Sequence, residues 1–161
     1  MIKPLEQFYC DECGQLIKEI RDGWVEWIDE EVNGKKHSYG FRIVHHNSCS
    51  PLKDKKKDGC YKYNDHYGRS DDHLDNIWEI RNQFLLSFLY SGEFHDNCGE
   101  NCRITNFKEY AEFARRLTIP YYEEARRYFD KAKSDEYSVD NEFIFTNEDE
   151  LKKLIEKYEK D

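Results

Sequence analysis

The stretch Cys10-Asp11-Glu12-Cys13-Gly14 is the part of the sequence whose residue types and spacing best suit chemistry. Two cysteine thiolates two residues apart can bind one ion, because a tight turn folds the intervening pair back and points backbone N–H groups at the sulfurs. Gly14 supplies the positive φ that ends such a turn. The spacing predicts a metal-binding knuckle, and the alternative is a pair of free buried thiols.

A closed tetrahedral site needs two further ligands, and the sequence offers more than two candidates. His46 and Cys49 repeat the two-residue spacing and can form a second knuckle, while Cys60 or His45 can replace one member of the set. Thiolates favour zinc over magnesium or manganese, so Zn²⁺ is the expected ion. The predicted metal ligands are Cys10, Cys13, His46, Cys49 and Cys60.

The N-terminal part resembles zinc ribbons, in which two knuckles at the ends of hairpins share one ion. The resemblance covers residues 8–60 and rests on Cys10-x-x-Cys13-Gly14. It implies a structural zinc ion that ties the knuckle to the end of a neighbouring hairpin.

The pair His45-His46 at the end of a predicted strand, followed by Asp75-Asn76, allows a different interpretation. This order resembles the His-His segment of HNH nucleases. The resemblance implies that His45 binds a divalent ion, that His46 activates a water molecule and that Asn76 completes the site. A metal-dependent nuclease is therefore the alternative function. It requires an open metal position, whereas a site closed by four protein ligands has no place for water.

A third group of ligand-type residues, His95, Cys98 and Cys102, lies within eight positions of one predicted loop. Such a group can hold a second metal ion. A polar loop with two spare thiols is the alternative, and the sequence favours it.

Composition limits the class of protein. The 161 residues combine a hydrophobic content of 38% with an aromatic content of 16%, so aromatic side chains are expected to replace aliphatic ones in the core. No stretch approaches about 18 consecutive apolar residues, and the N-terminal segment has no apolar signal core. These features predict a folded cytoplasmic protein without membrane contact. In a reducing cytosol, its six cysteines favour metal ligation over disulfides.

Charge is divided unevenly along the chain. Residues 1–69 hold 12 basic and 12 acidic side chains, and residues 70–161 hold 13 and 22, so the second part accounts for the formal charge of −9. Acidic groups on helix faces are expected at the surface, where they attract a basic protein partner and repel nucleic acid. Any nucleic-acid contact is expected at the lysine-rich segment Lys53–Lys57.

The elements that position these residues are predicted from periodicity and turn signals. Asn33-Gly34 between two runs of strand-forming residues predicts a type I′ hairpin whose second strand ends at His45-His46. Helices are predicted from Ser70 to just before Gly92, after Asn106, from Pro120 and after Asn147, and a short strand is predicted over residues 142–146.

Together these patterns predict an α+β fold. A small metal-stapled, zinc-ribbon-like β-hairpin module over residues 1–68 is expected to pack on an acidic bundle of about four helices over residues 69–161, as one compact unit. The expected function is that of a zinc-binding protein that serves as a protein-interaction or regulatory module.

Overall fold

The computed structural model describes residues 1–90, 102–135, 137 and 147–160. It confirms the α+β class, with two small antiparallel sheets and a set of helices. The strands are β1 (Phe8–Tyr9), β2 (Leu16–Ile17), β3 (Gly23–Val32), β4 (Lys35–His45) and β5 (Arg69–His73). The helices are α1 (Leu74–Glu79), α2 (Arg81–Leu89), α3 (Phe107–Thr118), α4 (Tyr122–Ala125), α5 (Phe129–Ser134) and α6 (Glu148–Tyr158). None of these helices is both long and apolar enough to cross a membrane.

The smaller sheet is the hairpin of β1 and β2, in which the buried side chains of Phe8 and Ile17 lie opposite each other. The turn between the two strands is the cysteine knuckle. Gly14 has a φ of +69°, and its N–H donates to the carbonyl of Cys10 at 2.9 Å. The turn therefore has the backbone conformation that the Cys-x-x-Cys-Gly pattern predicts.

The larger sheet has the strand order β4-β3-β5. Asn33 and Gly34 have φ values of 54° and 74°, which confirms the type I′ turn between β3 and β4. The register shifts by one residue between Glu26 and Ile28, opposite Gly40 in β4, which has a φ of +71°. A β-bulge at this glycine re-aims the rest of β4. Beyond the bulge, Phe41, Ile43 and His45 lie on one face of β4, and all three are buried.

The prediction of a helix from Ser70 is wrong, because residues 69–73 form strand β5 and the helix begins at Leu74. β5 pairs with β3, and the Ser70 hydroxyl donates to the Asp29 carboxylate at 2.8 Å. These sheet contacts come from a distant part of the chain and outweigh the local helix-start signal. The predicted helix is also divided at Ile80, where the backbone leaves the helical region.

The main core lies between the larger sheet and helices α1, α2 and α3. Aromatic rings fill its centre, as the composition predicts: Phe41 packs edge-on against Phe88 with ring centroids 4.9 Å apart, and Trp27 packs against the same ring at 5.6 Å. A second group of buried residues joins α4, α5 and α6. Its members are Tyr122, Ala125, Ala132, Leu151, Leu154, Ile155 and Tyr158.

The two capped helices begin where the sequence predicts. The Asn106 side chain accepts from the N–H of Glu109 at 3.2 Å to start α3, and the Asn147 side chain accepts from the N–H of Asp149 at 3.0 Å to start α6. The helix predicted from Pro120 is instead divided into α4, one 3-10 turn and α5. The predicted strand over residues 142–146 lies outside the described residues.

Two acidic residues depart from the expectation that the carboxylates of the second part lie at the surface. Glu123 and Glu124 are 4% and 3% exposed. Glu123 accepts from the buried guanidinium of Arg116 at 2.7 Å, and Glu124 accepts from the backbone N–H of Ile2 at 3.0 Å. Specific donors thus compensate their burial. Because Glu123 also accepts from the backbone N–H of Tyr9 at 2.8 Å, both carboxylates join the helices to the N-terminal part of the chain.

Comparison of two glycines tests the role of the bulge. Both Gly34 and Gly40 have positive φ, but a Cβ at Gly34 meets nothing within 4 Å, whereas one at Gly40 lies 2.6 Å from the Tyr63 hydroxyl. Gly34→Ala should lower the free energy of unfolding by about 1–2 kcal/mol through backbone strain alone. Gly40→Ala should cost at least about 1 kcal/mol more, because it adds a clash. Urea unfolding of both variants measures the difference, and equal losses would contradict the structure at this bulge.

Candidate metal centre

Four ligand-type side chains converge beside the knuckle. The sulfurs of Cys10, Cys13 and Cys60 and a ring nitrogen of His45 all lie within 4.8 Å of one another. In the part of the chain that the structure describes, no other group of three or more His, Cys, Asp or Glu residues is arranged closely enough to hold an ion. Cys10, Cys60 and His45 are buried, and Cys13 is partly exposed.

The distances suit a tetrahedral ion. Nδ1 of His45 lies 3.5 Å from Sγ of Cys13 and 4.0 Å from Sγ of Cys60. Zinc bonds of about 2.3 Å to sulfur and about 2.0–2.1 Å to nitrogen, at a tetrahedral angle, place these atoms roughly 3.6 Å apart. The other ring nitrogen, Nε2, lies 3.3 Å from the carbonyl of Leu16 and can donate its proton there. That hydrogen bond leaves the lone pair of Nδ1 directed at the thiols, as ligation requires.

The surroundings of the cysteines stabilise one thiolate in particular. Burial opposes ionisation of Cys10, but a hydrogen bond from His45 and backbone N–H groups of Cys13 and Glu12 outweigh it and lower the pKa of Cys10 to about 6. Burial raises the pKa of Cys60 to about 12, although the Ser50 hydroxyl lies 3.1 Å from its sulfur. Without an ion, the cluster therefore holds its negative charge on Cys10.

The two residues between the knuckle cysteines fix its orientation. Asp11 accepts from the N–H of Ile43 at 2.7 Å and from Arg116 at 2.7 Å. Glu12 accepts from Arg42 at 2.6 Å and also pairs with Lys56. Both carboxylates therefore point away from the sulfurs, toward β4, α3 and the lysine-rich segment, and they hold the thiols against the end of β4.

Of the five predicted ligands, the structure brings together Cys10, Cys13 and Cys60, and it adds His45. It does not bring His46 or Cys49 into the cluster. His45 ends β4 and turns inward, whereas His46, directly after the strand, turns outward, where its ring stacks on His73 with centroids 4.9 Å apart. Cys49 is exposed. Period-two alternation is the sequence signal that distinguishes the two histidines.

The three residues of the nuclease interpretation have separate contacts. His45 faces the thiols, His46 lies 2.7 Å from the Ser48 hydroxyl, and Asn76 donates to the carboxylate of Asp72 at 2.9 Å. Among the residues that the structure describes, only His45 of the three belongs to a group of ligand-type side chains close enough to hold an ion.

The predicted third cluster is described only at Cys102, which is exposed and whose thiol donates to the carbonyl of Ile104. His95 and Cys98 lie outside the described residues, so a metal site in this loop stays a prediction.

The chain matches no known protein-family model, and no curated protein or solved structure shows significant similarity to it.

The low pKa of Cys10 predicts a pH dependence in protein freed of metal with a chelator. Because the folded-state pKa, about 6, lies below the unfolded value of about 8.5, ionised Cys10 stabilises the fold above pH about 9, and this contribution is lost as the pH falls toward 6. Ultraviolet absorbance of the folded protein should show one thiolate forming near pH 6. Cys10→Ser should abolish this step and Cys49→Ser should not, whereas an unchanged titration of Cys10→Ser would contradict the assignment.

Proposed function

We propose that the protein binds one structural zinc ion through Cys10, Cys13, His45 and Cys60. The observation that carries this proposal is the convergence of four ligand atoms within 4.8 Å of one another. Three sulfurs and one imidazole nitrogen are a donor set that suits Zn²⁺. The ligands come from the knuckle, the end of β4 and the segment before β5, so the ion would join three parts of the chain. Its binding free energy would then contribute directly to folding.

A structural role fits the site better than a hydrolytic one. Four protein ligands fill a tetrahedral shell, and a hydrolytic zinc ion needs a position for water. Cys10, His45 and Cys60 are 2%, 5% and 0% exposed, so three of the four ligands are closed to solvent. These features favour the interaction or regulatory module over the HNH-like nuclease.

The proposed interaction uses the acidic surface of the helical part, which faces a basic protein partner. Residues 70–161 carry 22 acidic and 13 basic side chains. Among the described residues, Asp75, Glu79, Asp149 and Glu156 are exposed, on α1 and α6. A surface of this sign speeds encounter with basic proteins and opposes contact with nucleic acid. In the lysine-rich segment Lys53–Lys57, Lys56 pairs with Glu12 of the knuckle. The Glu12 carboxylate therefore neutralises part of the positive charge of this segment.

Adjacent histidines provide a matched test of the ligand set. Protein purified without added metal should contain about one zinc per chain by elemental analysis. His45→Ala should lose most of this zinc and unfold at lower temperature, because it removes a ligand. His46→Ala should retain the zinc, because that side chain points away from the cluster.

The cysteines give the same comparison. Cys60→Ser should behave like His45→Ala, and the exposed residue Cys49 provides the control, Cys49→Ser. The proposed ligands would be contradicted if His46→Ala or Cys49→Ser lost the zinc while His45→Ala kept it. That result would instead favour His46 and Cys49, the predicted second knuckle, as ligands.

The acidic-surface proposal predicts salt-sensitive association. Between about 50 and 300 mM salt, the Debye length falls from roughly 14 to 6 Å, so attraction to a basic partner should weaken. Capture from lysate at the two salt concentrations, followed by identification of the bound material, measures this effect. The proposal expects basic proteins that are lost at high salt. Capture that is unaffected by salt would contradict it, and capture of mainly nucleic acid would instead favour contact through Lys53–Lys57.

A further inference from the structure

Strand β3 is longer than the strand that pairs with it on one side. β5 pairs with β3 only as far as Ile28, and one further bond runs from the N–H of Asp29 to the carbonyl of Gly68 at 2.7 Å. β3 then continues to Val32, and within the described residues it pairs there with β4 alone. The end of β3 is therefore an open edge of the larger sheet.

Glu31 directs its backbone toward this open edge. In an antiparallel strand, the N–H and C=O of one residue point to the same side, and successive residues alternate between the two sides. Because Asp29 directs its N–H to the side of β5, Glu31 directs both of its backbone groups to that side as well. Glu30, Glu31 and Val32 are all exposed. An extended segment that lies beside the end of β3 can therefore exchange hydrogen bonds with Glu31.

Tyr67 lies beside the open edge and is 98% exposed. Its backbone is nevertheless fixed. Its carbonyl lies 2.6 Å from Nδ1 of His66, and the next residue, Gly68, has a φ of +86°. Gly68 approaches Asp29 so closely that a Cβ would lie 2.2 Å from the Asp29 carbonyl oxygen, so this turn requires glycine. Exposed tyrosines on a fixed backbone suit protein binding, because the ring covers a large area and loses few rotamers.

A groove of about 620 Å³ connects the open edge with Tyr67. The charged side chains that line it are Asp29, Glu30, Glu31, Lys36 and Arg69. Both cations of the groove already have partners, since Lys36 pairs with Asp29 at 3.2 Å and Arg69 pairs with Asp71 at 2.7 Å. The charge that is left without a counterion is therefore negative.

The negative charge of the groove belongs to two glutamates. Glu30 accepts from the neutral hydroxyl of Tyr39 at 3.2 Å, and Glu31 forms no ion pair within the described part of the chain. This charge disfavours a second copy of the chain as the occupant. A two-fold axis at Glu31 would place two Glu31 side chains opposite each other, and like charges at such positions are destabilising. A lysine or arginine at the same position is attracted instead.

We propose that the end of β3 and Tyr67 bind an extended segment of a partner protein that is rich in lysine or arginine. The segment adds a strand to the larger sheet through hydrogen bonds with Glu31, and its basic side chains meet Glu30 and Glu31 while Tyr67 packs against it. The contact is short, so binding is transient and depends on salt. This surface is formed by other residues than the acidic surface of the helical part, and it does not depend on that proposal.

The test is an NMR titration of the purified protein with a blocked peptide of alternating lysine and threonine, about six residues long. At about 50 mM salt the amide resonances of Glu31 and Tyr67 should shift, and the affinity should fall at about 300 mM. Tyr67→Ala should weaken binding by about fivefold or more, and Glu31→Lys by about tenfold or more.

Two variants serve as matched controls. Tyr90→Ala removes another exposed tyrosine, after α2, and Glu156→Lys makes the same charge change on α6. Both should bind the peptide as wild type does, and circular dichroism equal to wild type would show that all four variants keep the fold.

The proposal is overturned if the peptide does not bind, or if Tyr67→Ala and Glu31→Lys bind it as tightly as wild type. It is also overturned if Glu156→Lys weakens binding as much as Glu31→Lys, since the peptide would then lie on the helical surface. Dimerisation of wild type that Glu31→Lys abolishes would assign the edge to a second copy of the chain.

Discussion

The pairing of Asp11 with Ile43 is the interaction on which the ligand cluster depends. The N–H of Asp11 donates to the carbonyl of Ile43 at 2.9 Å, and the N–H of Ile43 donates to the Asp11 carboxylate at 2.7 Å. Asp11 stands between the two knuckle cysteines, and Ile43 stands two residues before His45 on the same face of β4. Two hydrogen bonds thus bring the thiols and the imidazole to one point, before any ion contributes.

The same carboxylate connects the cluster to the helices. Arg116, only 4% exposed, lies between Asp11 and Glu123 and contacts both at 2.7 Å. A buried guanidinium is costly unless its charge and its N–H groups are satisfied, and removal of either carboxylate would leave it poorly compensated. The main core joins the two predicted parts as well, because Val25 and Ile43 pack in one cluster with Leu74 and Phe113. The position of the knuckle is therefore linked to both sheet and helices.

Features set by neighbouring residues could be predicted from the sequence. The Asn33-Gly34 turn, the Cys-x-x-Cys-Gly turn and the Asn147 cap each depend on a few adjacent side chains. Features set by distant residues could not. β5 exists because Ser70 and its neighbours pair with β3, and the burial of Glu123 depends on an arginine of another helix. The choice of His45 over His46 lies between these cases, since strand alternation separates the two side chains but only the fold shows which face meets the thiols.

X-ray absorption spectroscopy at the zinc edge of the purified protein tests the central claim most directly. If the proposed site is closed, the spectrum should show one zinc environment with three sulfur ligands at about 2.3 Å, one nitrogen ligand at about 2.0–2.1 Å and no bound water. A shell that contains only nitrogen and oxygen, or a four-coordinate shell in which water replaces one protein ligand, would contradict the closed structural site formed by Cys10, Cys13, His45 and Cys60.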